Sequence, residues 1–161
     1  MELSFFSGVY GTSIAFTKKI SDSPKEILGL AGICIGAGEV FGGGLFGILA
    51  SKTTRFGRDP IVISGYVVHM TAFCLIFLNL PNNAPFTETD DISYIDPPLA
   101  WIALLSAFLL GFGDACFNTQ IYSMLGGVFV DNSVSAFALF KFTQVSFIFI
   151  FVFMKRDEYN L

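Results

Sequence analysis

The fold is decided by the stretch LAWIALLSAFLLGFGDACFNTQIYSML, residues 99–125, which contains one charged residue, Asp114. A helix rises about 1.5 Å per residue, so this stretch is long enough to cross the hydrocarbon core of a bilayer, which is about 30 Å thick. An apolar run of this length favours a membrane span over a core helix of a soluble protein. We therefore predict a transmembrane helix here, which begins after Pro97-Pro98.

The composition of the whole chain agrees with a membrane protein. Of the 161 residues, 53% are hydrophobic, 14% are charged and 20 are Phe, and the mean hydropathy is +0.68. Soluble domains carry about 25% charged residues, so this chain lacks the charge to coat a surface that faces water. The composition excludes a disordered chain, a nucleic-acid-binding protein and an ordinary cytosolic enzyme.

Helix-start and helix-stop signals divide the rest of the chain into four further apolar segments. Ser23-Pro24 and Asp59-Pro60 precede two of them, and Lys155-Arg156 follows the last. The sequence thus predicts an all-α membrane protein with about five spans over residues 1–154 and a short polar tail, 155–161. The other predicted spans are residues 1–17, which are short and weakly apolar, 27–50, 61–80 and 133–154.

The charges in the loops do not orient the chain in the membrane. Segment 18–26 and segment 51–60 carry three basic residues each and are predicted to lie on opposite sides. Cytoplasmic loops normally carry the excess of Lys and Arg. The tail adds two bases to the side of segment 18–26, and this difference is too small to decide.

Four acidic or basic residues lie in the predicted spans away from the span ends: Glu39, His69, Asp114 and Lys141. Charge at bilayer depth is costly, so such groups usually face the protein interior or a water-filled cavity. For Asp114 and Lys141 two interpretations stay open, a polar pathway with a coupling role and a buried structural ion pair. For His69, which is the only histidine, we expect an interior side chain with a structural hydrogen bond.

The predicted turn between the last two spans places Asp114 and Lys141 at one depth. If the fourth helix ends near Tyr122 and the fifth begins near Ser133, each charge lies eight residues, about 12 Å, from the turn. Continuation of the fourth helix to Val130 would remove this match. Asn118 and Gln144 follow the two charges at helical spacing and extend their polar faces.

The second predicted span is rich in glycine. Three glycine pairs have the small-xxx-small spacing that lets helix backbones approach closely, 32/36, 38/42 and 43/47. Gly36-Ala37-Gly38 is not a dinucleotide-binding loop, because Phe41 occupies the third glycine position and no strand precedes it. Glu39 lies among these glycines, so we expect it to face a neighbouring helix or a cavity.

No sequence pattern predicts catalysis. The chain lacks a Gly-x-Ser-x-Gly motif, a Walker loop and a Cys or His cluster. Its three cysteines are isolated in apolar runs, which argues against a disulfide framework or a metal site. We therefore expect a protein that is not an enzyme and that has no cofactor, with the lipid bilayer as its first partner.

The loop between the second and third spans resembles a motif of the major facilitator superfamily. Gly47 begins the stretch GILAS, and Arg55-Phe56-Gly57-Arg58 follows it, as in the Gly-x-Leu-x-Asp…Arg-x-Gly-Arg loop. Ser51 stands where that motif has its acid, and the spacing is stretched. The alternative is a plain basic loop at the membrane surface. Basic residues there can stabilise the negative C-terminal ends of helices.

A more specific resemblance is to the C-terminal half of the uncoordinated-93-like branch of that superfamily. It is carried by GFGDACFNTQ at residues 111–120, by AFALFK at 136–141 and by Phe6-Ser7-Gly8. The resemblance implies that the spans are the seventh to eleventh of a twelve-helix fold, with loop 51–60 cytoplasmic and loop 81–98 in the lumen or outside. On this view the first span would begin upstream, and the chain would be a truncated part of that fold.

This resemblance leaves two classes of function open. The branch includes a regulator of potassium channels and a trafficking chaperone for receptors, which implies an accessory role with another membrane protein as partner. The alternative is a secondary transporter of an unknown solute, with Glu39, Asp114 and Lys141 as candidate coupling residues. Such transporters bind substrate between two six-helix halves, so the partners could also be the missing helices of the same fold. A chain without activity of its own is a third possibility.

Overall fold

The computed structural model describes residues 9–20, 23–53, 57, 59–84, 89 and 91–158, and these form an all-α protein. Within these residues the only β feature is an isolated bridge between Thr17 and Thr89. The predicted fold class is confirmed. The elements are α1 (Gly11–Phe16), a 3-10 turn (Lys18–Ile20), α2 (Pro24–Thr53), α3 (Asp59–Asn79), α4 (Ala100–Val128) and α5 (Ser133–Glu158).

Three helices in the described part are long and apolar enough to cross a membrane, namely Pro24–Ile48, Asp59–Asn79 and Ala100–Val128. α5 occupies the predicted fifth span. Of the predicted first span, residues 1–8 lie outside the described residues, and α1 accounts for part of the rest. Several helices are longer than expected: α2 begins at Pro24, and α4 continues to Val128.

α4 is the central helix of the described chain. It packs extensively against α2 and α3 and only sparsely against α5. Its buried Ala103, Ala107 and Leu110 form a core together with Ala31 of α2 and Ala72 of α3. The short α1 is fixed to this core because the hydroxyl of buried Tyr10 donates a hydrogen bond to the carbonyl of Ala103.

Small residues let the backbones of α2 and α4 come together. A Cβ atom added to Gly38 would meet the carbonyl oxygen of Phe108 and lie 2.8 Å from the backbone nitrogen of Phe112. Reciprocally, a Cβ on Gly111 would meet the backbone of Ile35. The predicted close packing is thus confirmed for the pair 38/42, whereas a Cβ atom added to a glycine of the pairs 32/36 and 43/47 would meet nothing within 4 Å outside its own helix in the described part.

The loop between α3 and α4 is fastened to the ends of these helices. The Asn79 side chain donates to the carbonyl of Leu99 (3.0 Å) and accepts from the backbone N–H of the same residue (2.8 Å). The ammonium of Lys19 lies 3.6 Å from the carboxylate of Asp96. The loops after α1 and after α3 therefore lie at one end of the bundle, as the alternation of spans requires.

We expect Gly38→Ala to destabilise the protein by about 1–3 kcal/mol, because the added methyl group overpacks the contact between α2 and α4. Gly36→Ala on the same helix is the matched control. It has open space in front of it, so the higher helix propensity of Ala should leave stability unchanged or raise it by up to about 1 kcal/mol. The measurement is the free energy of unfolding in one detergent. Equal effects of the two substitutions would contradict the close approach.

Candidate functional site: an intramembrane polar cluster

Asp114 lies at the middle of α4. Fourteen residues separate it from each end of the helix, which corresponds to about 21 Å of helix in each direction. Its carboxylate accepts a hydrogen bond from the side-chain amide of Asn118 at 2.5 Å. On the predicted polar face of this helix, Asp114 and Asn118 therefore form a hydrogen-bonded pair near the middle of the membrane-spanning helix.

A groove between α4 and α5 brings together three of the residues that the sequence predicted. Asp114 and Asn118 line it from α4, and Gln144 lines it from α5. The groove has a volume of about 410 Å³ and is open at one side. Among the described residues its lining is Asp114, Phe117, Asn118, Ile121, Phe140, Thr143, Gln144 and Phe147.

Lys141 lies next to this groove rather than level with Asp114. Its ammonium donates a hydrogen bond to the Gln144 side chain at 3.0 Å and lies 5.3 Å from the centre of the Tyr122 ring. Tyr122 is two helical turns, about 12 Å, beyond Asp114 along α4. The expectation of equal depth is wrong, because α4 does not end near Tyr122 but continues to Val128.

Glu39 approaches the cluster from α2. It follows buried Gly38, which packs against α4, and its own side chain is exposed in the described chain. Its carboxylate lies within electrostatic range of both Asp114 and Lys141. Three helices thus contribute two negative charges and one positive charge to one region of the bundle.

His69 of α3 is buried beside the cluster, with 4% of its surface exposed. Its Nδ1 atom is 3.1 Å from the carbonyl oxygen of Gly65, and the ring lies between Phe73 and Phe117, with centroid distances of 6.0 and 5.5 Å. An interior hydrogen-bonded histidine is confirmed. The space for its ring comes from Gly113, where a Cβ atom would strike the imidazole.

The glycines that make room for His69, Gly65 and Gly113, were not predicted from the sequence. A Cβ on Gly65 would lie 2.8 Å from the Cβ of Cys116, so α3 and α4 also approach closely there. The signal was available, since Gly65 precedes His69 by one helical turn and Gly113 precedes Asp114 directly.

The facilitator-like loop is only partly described. Gly47 is exposed on α2, and Gly57 has φ = 79°, a left-handed conformation that favours glycine. Arg55 and Arg58 lie outside the described residues. The described part of the chain contains no group of three His, Cys, Asp or Glu residues that could hold a metal ion, and Cys34, Cys74 and Cys116 form no disulfide bond.

Comparisons with known proteins agree with the resemblance in the sequence. A family model described as "Ion channel regulatory protein UNC-93" matches residues 1–156. The UNC93-like protein MFSD11 of Xenopus laevis is 49% identical over 146 residues, and its Xenopus tropicalis counterpart is 50% identical over 147 residues. Each alignment covers 89% of this chain and 33% of the relative, so the chain spans about a third of the length of these relatives. No solved structure matches the chain significantly.

The arrangement of the three charges predicts two coupling energies of opposite sign. A double-mutant cycle of Glu39→Gln with Lys141→Gln should reveal an attraction in the native protein, and a cycle of Glu39→Gln with Asp114→Asn a repulsion. Each coupling should be about 0.5 kcal/mol or more, measured as free energy of unfolding. A cycle of Glu39→Gln with exposed Asp91→Asn is the control and should give additive effects. Couplings of the same sign would contradict the arrangement.

Proposed function

The chain belongs to the UNC-93 family, and from this premise we propose that it is an accessory membrane protein that regulates or escorts another membrane protein. The description of the family as ion channel regulatory proteins favours a channel as the partner. We also propose that residues 1–154 form one partial transmembrane domain of the facilitator type. The chain itself is an integral membrane protein.

A second small-residue face on α2 supports this proposal. At about 100° per residue, Gly32, Gly36, Gly43 and Gly47 lie on the side of the helix opposite to the Gly38 contact with α4. A Cβ atom added at any of these four would meet nothing within 4 Å outside its own helix. Small residues allow close packing of transmembrane helices, whereas contact with lipid does not require them. This face suits a transmembrane helix of a partner.

We expect Gly43→Leu to abolish most of the capture of a membrane-protein partner, because the larger side chain keeps a docked helix at a distance. The tagged chain is purified gently from cell membranes, and the mass and composition of its complex are measured. Gly126→Leu is the matched control, since Gly126 also has open space but lies on α4. Undiminished capture by Gly43→Leu, or equal loss in both variants, would argue against the α2 face.

Secondary transport is the second candidate function, and the intramembrane charges of Glu39, Asp114 and Lys141 favour it. Ionisable groups at this depth commonly mark ion or substrate pathways. On this hypothesis, liposomes that contain the chain should show a pH-driven flux of protons, read with a trapped pH-sensitive dye. The double variant Asp114→Asn with Lys141→Gln should lose the flux but keep its abundance in the membrane. Equal flux in the double variant would exclude a coupling role for these two residues.

A further inference from the structure

We propose that the groove between α4 and α5 binds a small organic cation that carries one positive charge on an apolar body. This inference goes beyond both proposed functions, because binding in the groove requires neither a partner protein nor transport. It rests on the charge, the size, the lining and the access of the groove.

The charge of the region favours a monovalent cation. Asp114 lines the groove, and Glu39 and Lys141 lie within electrostatic range of each other. Two carboxylates and one ammonium leave one negative charge. His69 also lies in range of Asp114, but its ring is buried between the rings of Phe73 and Phe117. A ligand with one positive charge would therefore neutralise the cluster, and a charge is recognised strongly at this depth because the surroundings are poorly polarisable.

The size and lining of the groove favour an organic ligand over an inorganic ion. About 410 Å³ is within the range of small-molecule sites and much larger than one ion requires. The rings of Phe117, Phe140 and Phe147 line the groove, and aromatic faces attract organic ammonium groups. The side-chain oxygens of Asn118 and Thr143 add polar groups that could orient such a ligand.

A second cavity adjoins the groove and extends toward the end of the helices. It has a volume of about 630 Å³ and shares Phe140 and Thr143 with the first. From these residues it continues to Phe129 and Asn132 at the turn between α4 and α5. A solute can enter at this end of the helices and reach Asp114 along one groove. The depth of Asp114, about 21 Å from the helix end, also excludes the cationic headgroup of a membrane lipid as the occupant.

The test uses the full 161-residue chain in lipid nanodiscs and tritiated benzyltrimethylammonium, with binding read by scintillation proximity. Asp114→Asn should weaken binding about tenfold or more, since it removes the charge and keeps the size of the side chain. Lys141→Gln should strengthen binding several-fold, because it makes the cluster more negative. Asp91→Asn, in the loop between α3 and α4, is the matched control and should bind like the parent chain.

The neutral carbon isostere 2,2-dimethylpropylbenzene separates charge recognition from simple apolar binding. We expect it to compete at least about tenfold more weakly than unlabelled benzyltrimethylammonium. Equal competition, unchanged affinity in folded Asp114→Asn, or no binding to the parent chain would overturn the proposal. If Asp114→Asn does not fold, unchanged or weaker binding by Lys141→Gln would overturn it. Loss of partner capture would leave this result untouched, so the two proposals fail separately.

Discussion

The close approach of α2 to α4 at Gly38 and Gly111 is the constraint on which the rest of the structure depends. Side chains at these positions would meet backbone atoms of the other helix, which cannot move aside as a flexible side chain can. The approach fixes the height of α2 relative to α4. Since Glu39 follows Gly38 directly, the same contact determines how far Glu39 lies from Asp114. The packing of two glycines thus sets the electrostatics of the cluster.

Glycines also allow a close approach between α3 and α4. Gly113 makes room for the ring of His69, and Gly65 lets α3 approach at Cys116. Lipid tails are as apolar as the side chains of a bundle, so the burial of apolar surface contributes little to the association of membrane helices. Van der Waals contact between closely packed helices, made possible by small residues, drives the association instead. α4 is therefore apolar and small on the faces toward α2 and α3, and it carries its polar residues toward α5, where packing is sparse.

The sequence was sufficient for the helical class and for the close packing of α2 through glycine, because apolar length and small-residue spacing are local properties. The sequence did not predict the residue at which α4 ends. The predicted span ended at Leu125, and the depth match required an end near Tyr122, yet nothing in an isolated stretch shows that the helix will continue through Gly126 and Gly127 to Val128. Which of three glycine pairs meets a neighbour depends on the rotation of α2 about its axis, and that rotation is set by α4. The proximity of Glu39 to Asp114 and Lys141 depends on how α2, α4 and α5 pack together, so no single stretch of sequence predicts it.

The rotation of α2 also relates the open glycine face of this helix to the groove between α4 and α5. Glu39 lies about 100° from Gly38 around the helix, between the face that packs on α4 and the open face with Gly36 and Gly43. A helix docked on the open face would replace lipid around Glu39 with protein, and so change the field at Asp114 and Lys141. By linkage, any effect of such a partner on a cation in the groove must be matched by an equal effect of the cation on the partner. A single carboxylate at the boundary of two helix faces is sufficient for this coupling, and no movement of the backbone is required.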